Sequence, residues 1–164
     1  VFKEIEQSYL ETKALAQTAA KSPTVMSGAM YKDVWYLAGG KSWAARFLAD
    51  ANANYLWKDA NETGSLSLSW ETVLERGKNA EFWIGTSQFG SYNDMNAASN
   101  HYAQFDSFQT KNLFTFSNSK GATGGLLYYE IAPQRPDLVL KDLIYILHPE
   151  LLSDHELMFF KPLL

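Results

Sequence analysis

Residues 67–85 read SLSWETVLERGKNAEFWIG. Ser69 or Ser67 can cap a helix that carries Glu71, Val73 and Leu74, and Gly77 supplies its stop. Ala80 to Gly85 then reads as a short strand with EFWI in its middle. A capped helix running straight into a buried strand is half of an α/β unit, and the rest of the chain repeats the theme.

Upstream, residues 1–20 space Phe2, Ile5, Tyr9 and Leu15 near helical intervals with Glu and Lys between them. Pro23 ends that helix, and Thr24 to Ser27 reads as a buried strand before Gly28. An aromatic, glycine-rich loop follows through Tyr31, Trp35, Tyr36, Gly39 and Gly40. Ser42 caps a helix through Trp43, Ala44, Phe47 and Leu48. The apolar run Tyr55-Leu56-Trp57 gives way to a polar turn from Asn61 to Ser65. Downstream, 87–103 is polar with short helices, Leu113 to Phe116 is a third strand, and Asn118 to Gly125 is a loop. Arg135-Pro136 opens a last amphipathic helix with Leu138, Val139, Leu143, Ile146 and Leu147 on its apolar face. The tail HELMFF, His155 to Phe160, reads as a last strand.

Alternating strands and helices predict a mostly parallel sheet covered on both faces. Ligands of such sheets collect outside the carboxyl ends of the strands. The loops there are 28–40, 58–68, 86–97 and 117–134, and they carry Trp35, Tyr36, Phe89, Tyr92, Tyr128 and Tyr129.

Composition narrows the function. The 164 residues are 46% hydrophobic, 20% charged and 15% aromatic, with a net charge of −4 and no cysteine. One domain of this size builds a core without staples. Absent cysteine excludes thiol catalysis, cysteine zinc sites and disulfides. The acidic balance and lack of a basic run argue against a nucleic-acid partner. No apolar run is long enough to cross a bilayer. No signal peptide is visible, and Val1 opens in mid-helix, which reads as a piece of something longer.

Several motifs tempt. Gly40-Lys41-Ser42 ends like a P-loop, but Trp35 stands where the motif needs its first glycine. Gly85-Thr86-Ser87-Gln88-Phe89 follows a strand as a nucleophile elbow does, with Phe89 where a small residue is needed. His101, His148 and His155 are candidate bases for Ser87. His148-Pro149-Glu150 and Asp154-His155-Glu156 gather metal-capable groups without one-face helical spacing. Asn61-Glu62-Thr63 matches a glycosylation acceptor.

The order PTVMSG (23–28), WYLAGGKSWAARFLADANANYLW (35–57), SLSWETVL (67–74), NAEFWIG (79–85), RPDLVLKDLIYILHPELL (135–152) and HELMFF is informative as a whole. It resembles the carboxyl-terminal lobe of helical-backbone periplasmic substrate-binding proteins of ABC importers, in a Bacteroides-like version. Those proteins carry ferric siderophores, haem or cobalamin. The resemblance implies a three-layer, Rossmann-like α/β lobe over 21–164, with 1–20 as the end of an inter-lobe backbone helix. It implies a missing amino-terminal lobe and a periplasmic location, with membrane anchoring as a lipoprotein in the full-length protein. It implies ligand contacts from Trp35 with Tyr36 beside it, from Tyr128, Tyr129 and Glu130, and from Arg135, one of three arginines with Arg46 and Arg76. Glu71 matches the surface glutamate that docks onto an arginine pocket of the inner-membrane permease, a charge-assisted pair. No catalysis and no protein-held cofactor or metal follow from it, since any metal travels within the chelate or macrocycle. Two alternatives stay open at this point: an α/β hydrolase using Ser87, and a non-catalytic interaction domain.

Overall fold

The structure is a computed structural model that describes residues 1–86, 89–122 and 124–164. Among the described residues, eight strands form two sheets. The main sheet contains β1 (Thr24–Met26), β4 (Asn54–Tyr55), β6 (Phe82–Ile84), β7 (Leu113–Thr115) and β8 (Lys161–Pro162), in the spatial order β4-β1-β6-β7-β8. The first four run parallel and β8 is antiparallel to β7. β2 (Ala29–Tyr31), β3 (Val34–Ala38) and β5 (Ser65–Leu68) make a separate antiparallel sheet beyond the end of β1.

Two helical layers cover the main sheet. On one side α1 (Phe2–Ala16) and α2 (Trp43–Asp50) pack on α7 (Pro136–Leu147). The other side holds α3 (Trp70–Gly77), α4 (Tyr92–Ala98), a 3-10 turn at 100–104 and α5 (Asp106–Gln109). The Met26 sulfur faces that second layer, where Ser107 donates to it and Gly77 sits beside it. The fold is thus the α/β sandwich that the alternating pattern predicts, with a mostly parallel sheet between helices.

Local chemistry explains the element ends. Ser42 and Ser69 accept from the backbone N–H groups of Ala45 and Thr72, satisfying orphan donors at the starts of α2 and α3. Pro136 occupies the first turn of α7, where its missing N–H costs nothing. α1 is tied down by Tyr9, whose hydroxyl donates to Asp50 at 2.5 Å, and by Asn52, whose amide donates to the Ala16 carbonyl at 3.0 Å.

Three expectations need correction. The 28–40 and 58–68 segments are not simple loops, because β2, β3 and β5 pair within them. The 117–134 segment contains a short helix, α6 (Leu127–Ile131). HELMFF is not a strand; the strand is the next pair of residues, and 158–160 are held instead by side-chain acceptors on α7.

Candidate functional site

The main sheet switches direction between β1 and β6, because the chain leaves β1 for one neighbour (β4) and returns to the other side at β6. Such a switch leaves a crevice at the carboxyl ends of the two strands. A cavity of about 340 Å³ occupies it. Its floor is Ser27 and Gly28 after β1, and Ile84 and Gly85 at the end of β6. Gly28 and Gly85 both lie at positive φ, 85° and 86°, and the Gly28 N–H donates to the Gly85 carbonyl at 3.1 Å. A Cβ on Gly28 would stand 2.0 Å from the Tyr36 carbonyl oxygen, so only glycine lets β3 cross this close.

One wall is aromatic. Phe116, just past β7, stacks on Tyr128 of α6 with centroids 4.6 Å apart and planes 16° apart. Tyr129 meets Phe116 edge-on at 5.5 Å, and Phe160 closes the group 5.6 Å from Tyr128. Tyr36, Tyr128 and Tyr129 all line the cavity, with Tyr129 65% and Tyr36 42% exposed at its mouth. Burial, and secondarily Tyr129, push the Tyr128 phenol up to about 12, so its hydroxyl stays neutral through the physiological range. Among the described residues, no charged side chain lines the cavity.

Trp35 does not reach the cavity. It is fully buried, 5.3 Å from the rings of both Trp83 and Phe105 and 5.6 Å from Tyr102. Its indole N–H donates to the Ser27 carbonyl at 3.0 Å, and that of Trp83 donates to Gly28 at 2.9 Å. The two tryptophans therefore hold the turn that forms the cavity floor from beneath, without facing a ligand. Much of the aromatic surplus is core of this kind: Phe89 packs on Tyr102 and Tyr92 on Phe108.

Arg135 is also displaced from its expected role. It lies outside the cavity lining and binds Asp137 bidentately, both contacts at 3.0 Å. Burial alone would raise the Asp137 carboxyl, but the hydrogen bonds and charge of Arg135 hold it below its ordinary value. Glu130, expected near the ligand, turns back toward Gly121 and Gly125, with its carboxylate against both. Glu71 is exposed in the first turn of α3 and borders a different depression, shared with Lys32, Asp33, Trp70 and His101. There His101 stacks on Trp70 with centroids 3.8 Å and planes 12° apart.

The remaining motifs resolve into structure. Gly39 and Gly40 allow close packing against the carbonyls of Glu62 and Ala60. His148 is buried, its Nε2 within 3.1 and 3.3 Å of the Ala51 and Asn52 carbonyls, and His155 pairs with Asp142. Among the described residues no three His, Asp or Glu side chains gather as metal ligands. Ser87 lies outside the described residues. Phe47, Phe116 and Phe160 line the cavity without having been singled out. The local signal for the site floor is a glycine just past each of two strands, Gly28 after β1 and Gly85 after β6.

A family profile described as periplasmic binding protein matches residues 1–118. An uncharacterised lipoprotein of Methanocaldococcus jannaschii is 27% identical over 162 residues, covering 97% of this chain and 36% of the relative. A possible iron-binding, periplasmic solute-binding protein of Staphylococcus epidermidis superposes with a TM-score of 0.65 at 18% identity, over 89% of this chain and 53% of that one. The periplasmic haem-binding protein RhuT of Roseiflexus gives 0.67 at 16% identity, over 91% and 54%. The chain thus spans about a third of the length of the curated relative and about half of these two structures. No helix among the described residues is long and apolar enough to cross a membrane. With the family matched over more than half its length and the family's fold around a switch-point cavity, the chain belongs to the periplasmic binding proteins, a family of solute binders and not of enzymes.

Proposed function

We propose that this chain is a substrate-binding lobe of an ABC importer, and that it presents its aromatic cavity to a flat metal chelate or macrocycle. Haem, cobalamin and ferric siderophores of low anionic charge are the candidate ligands. The observation that carries the reading is the switch-point cavity, walled by Phe116, Tyr128, Tyr129 and Phe160 and free of charged side chains among the described residues. Aromatic faces favour a conjugated or apolar surface, whereas a highly anionic catecholate needs cations, and Arg135 is already committed to Asp137. Structural neighbours described as iron-binding and haem-binding, and one from Helicobacter pylori with nickel bound, support a metal-containing ligand. Any metal arrives inside the ligand. The second half of the cleft belongs to an amino-terminal lobe joined through α1, and Glu71 docks the lobe onto an arginine of the permease. A lipoprotein relative supports a periplasmic, membrane-anchored setting.

Isothermal titration of hemin, cyanocobalamin and a ferric catecholate into the chain tests this. One of the first two is expected to bind saturably. Tyr129→Ala should weaken it about two- to tenfold, the worth of one aromatic contact, and Glu71→Ala should leave it unchanged. A catecholate binding best with no effect of Tyr129→Ala overturns the ligand class. No binding by any compound overturns the claim that this lobe carries an autonomous binding surface.

A further inference from the structure

Asp142 sits in the middle of α7, fully buried, with Val139, Leu140, Leu143 and Ile144 buried around it. A leucine there would pack as well against the core, and a buried carboxylate is costly unless fully hydrogen-bonded. This one is. Its Oδ2 accepts from the backbone N–H groups of Met158, Phe159 and Phe160 at 3.2, 2.7 and 3.1 Å. Its Oδ1 accepts from Met158 N–H at 3.1 Å and lies 2.7 Å from His155 Nε2. Three successive amides converging on one point form a concavity built for an anion, and here the chain's own helix supplies the anion.

The segment so held is the one that ends in Phe160. That ring is 5% exposed, lies 5.6 Å from Tyr128 and 6.3 Å from Phe116, and forms part of the cavity lining. Asp142 itself is not among the lining residues.

We propose that Asp142 is a positioning residue of the binding site: its carboxylate, gripping the 158–160 amides, fixes Phe160 as the rear wall of the cavity. The inference rests on the binding reading for its consequence, but the placement of Phe160 can be read without any ligand. Replacing the carboxylate by an amide removes the charge that strengthens these bonds and, with the remaining oxygen kept on the three N–H groups, turns the Oδ1 position into a donor that faces the Met158 N–H. His155 is a weaker partner, because it meets one oxygen and leaves the amide cradle intact.

The test uses the full chain with Asp142→Asn, Phe160→Ala, the double variant and His155→Gln, read by amide exchange, by proton contacts between the Phe160 and Tyr128 rings, and by hemin titration. Asp142→Asn is expected to speed exchange at 158–160 about tenfold or more, the loss of a charge-assisted set of bonds, while β1 and β6 amides stay protected and the Phe160–Tyr128 contact disappears. Hemin affinity should fall by the same factor in Asp142→Asn and Phe160→Ala, with no further fall in the double variant. His155→Gln should retain the ring contact and the protection of 158–160, and it remains informative if Asp142→Asn does not fold, because retention of both supports the Asp142–amide latch and their loss, which would assign the hold to His155, overturns it. Unchanged protection and ring contact in Asp142→Asn overturn the proposal, as does a double variant whose loss is the product of the two single losses. Absence of hemin binding in the unaltered chain counts against hemin as the ligand, and exchange and ring contact still decide the role of Asp142.

Discussion

Replacing Trp35 by phenylalanine separates a residue that holds the cavity from one that faces into it. The ring is fully buried among Trp83, Tyr102 and Phe105, and its N–H donates to the Ser27 carbonyl at 3.0 Å. Leaving that carbonyl unpaired costs about 1–3 kcal/mol. The smaller ring leaves a void of roughly 40 Å³, which with the lost transfer energy adds about 1–2 kcal/mol. The sum is about 2–5 kcal/mol. For a chain of this size each kcal/mol moves the melting temperature by about 2–4 °C, so a fall of roughly 10 °C is expected. Thermal unfolding followed by far-ultraviolet circular dichroism measures it. A side chain lying open in a ligand cleft would shift stability by no more than about 0.5 kcal/mol. A Trp35→Phe protein that melts with the wild type but loses ligand affinity would refute the buried, supporting role.

Gly28→Ala should destabilise by more than about 3 kcal/mol, because it adds left-handed strain to a backbone collision with the Tyr36 carbonyl. Gly64→Ala, with nothing within 4 Å of the added carbon, should stay within about 0.5 kcal/mol, and equal urea midpoints for the two variants would sink the argument. The Arg135–Asp137 pair should give a pH-dependent gap between wild type and Asp137→Asn. Because the folded-state carboxyl is held below its ordinary value, its contribution is present above about pH 4 and fades as pH falls further. Urea midpoints at pH 7 and pH 3 read it, and a gap of the same size at both would show that charge is not its source.

The sequence stated the main sheet and its helices well because their signals are local. Ser42, Ser69, Gly77 and Pro136 each act on their own backbone, and the β1, β6 and β7 strands carry compact apolar runs. The small antiparallel sheet was illegible for an equally local reason. Its hairpin turns at Lys32-Asp33, and Lys32 takes φ 55° where Gly or Asn would have announced the turn. Reading 34–38 as loop discarded the alternation that β3 imposes, with Trp35 and Leu37 inward and Tyr36 outward, so two adjacent aromatics were given one role. Tyr36, Tyr128 and Tyr129 were legible as cavity residues because they lie at the sheet's carboxyl edge. Phe160 was not, since its place depends on Asp142 across 18 residues and on an acceptor geometry that no spacing rule encodes.

The outermost strand also bears on how molecules of this protein behave in a crowd. β8 pairs with β7 through the Leu163 N–H to the Leu113 carbonyl, so in this register the residue before it, Pro162, directs its backbone nitrogen away from the sheet. That nitrogen bears no hydrogen. A neighbouring chain approaching the flank of β8 meets a strand of two residues, one without a donor and the other the exposed cation Lys161. Such a border offers little template for strand addition, so the sheet is blunted against growing from one molecule into the next during folding and at high concentration.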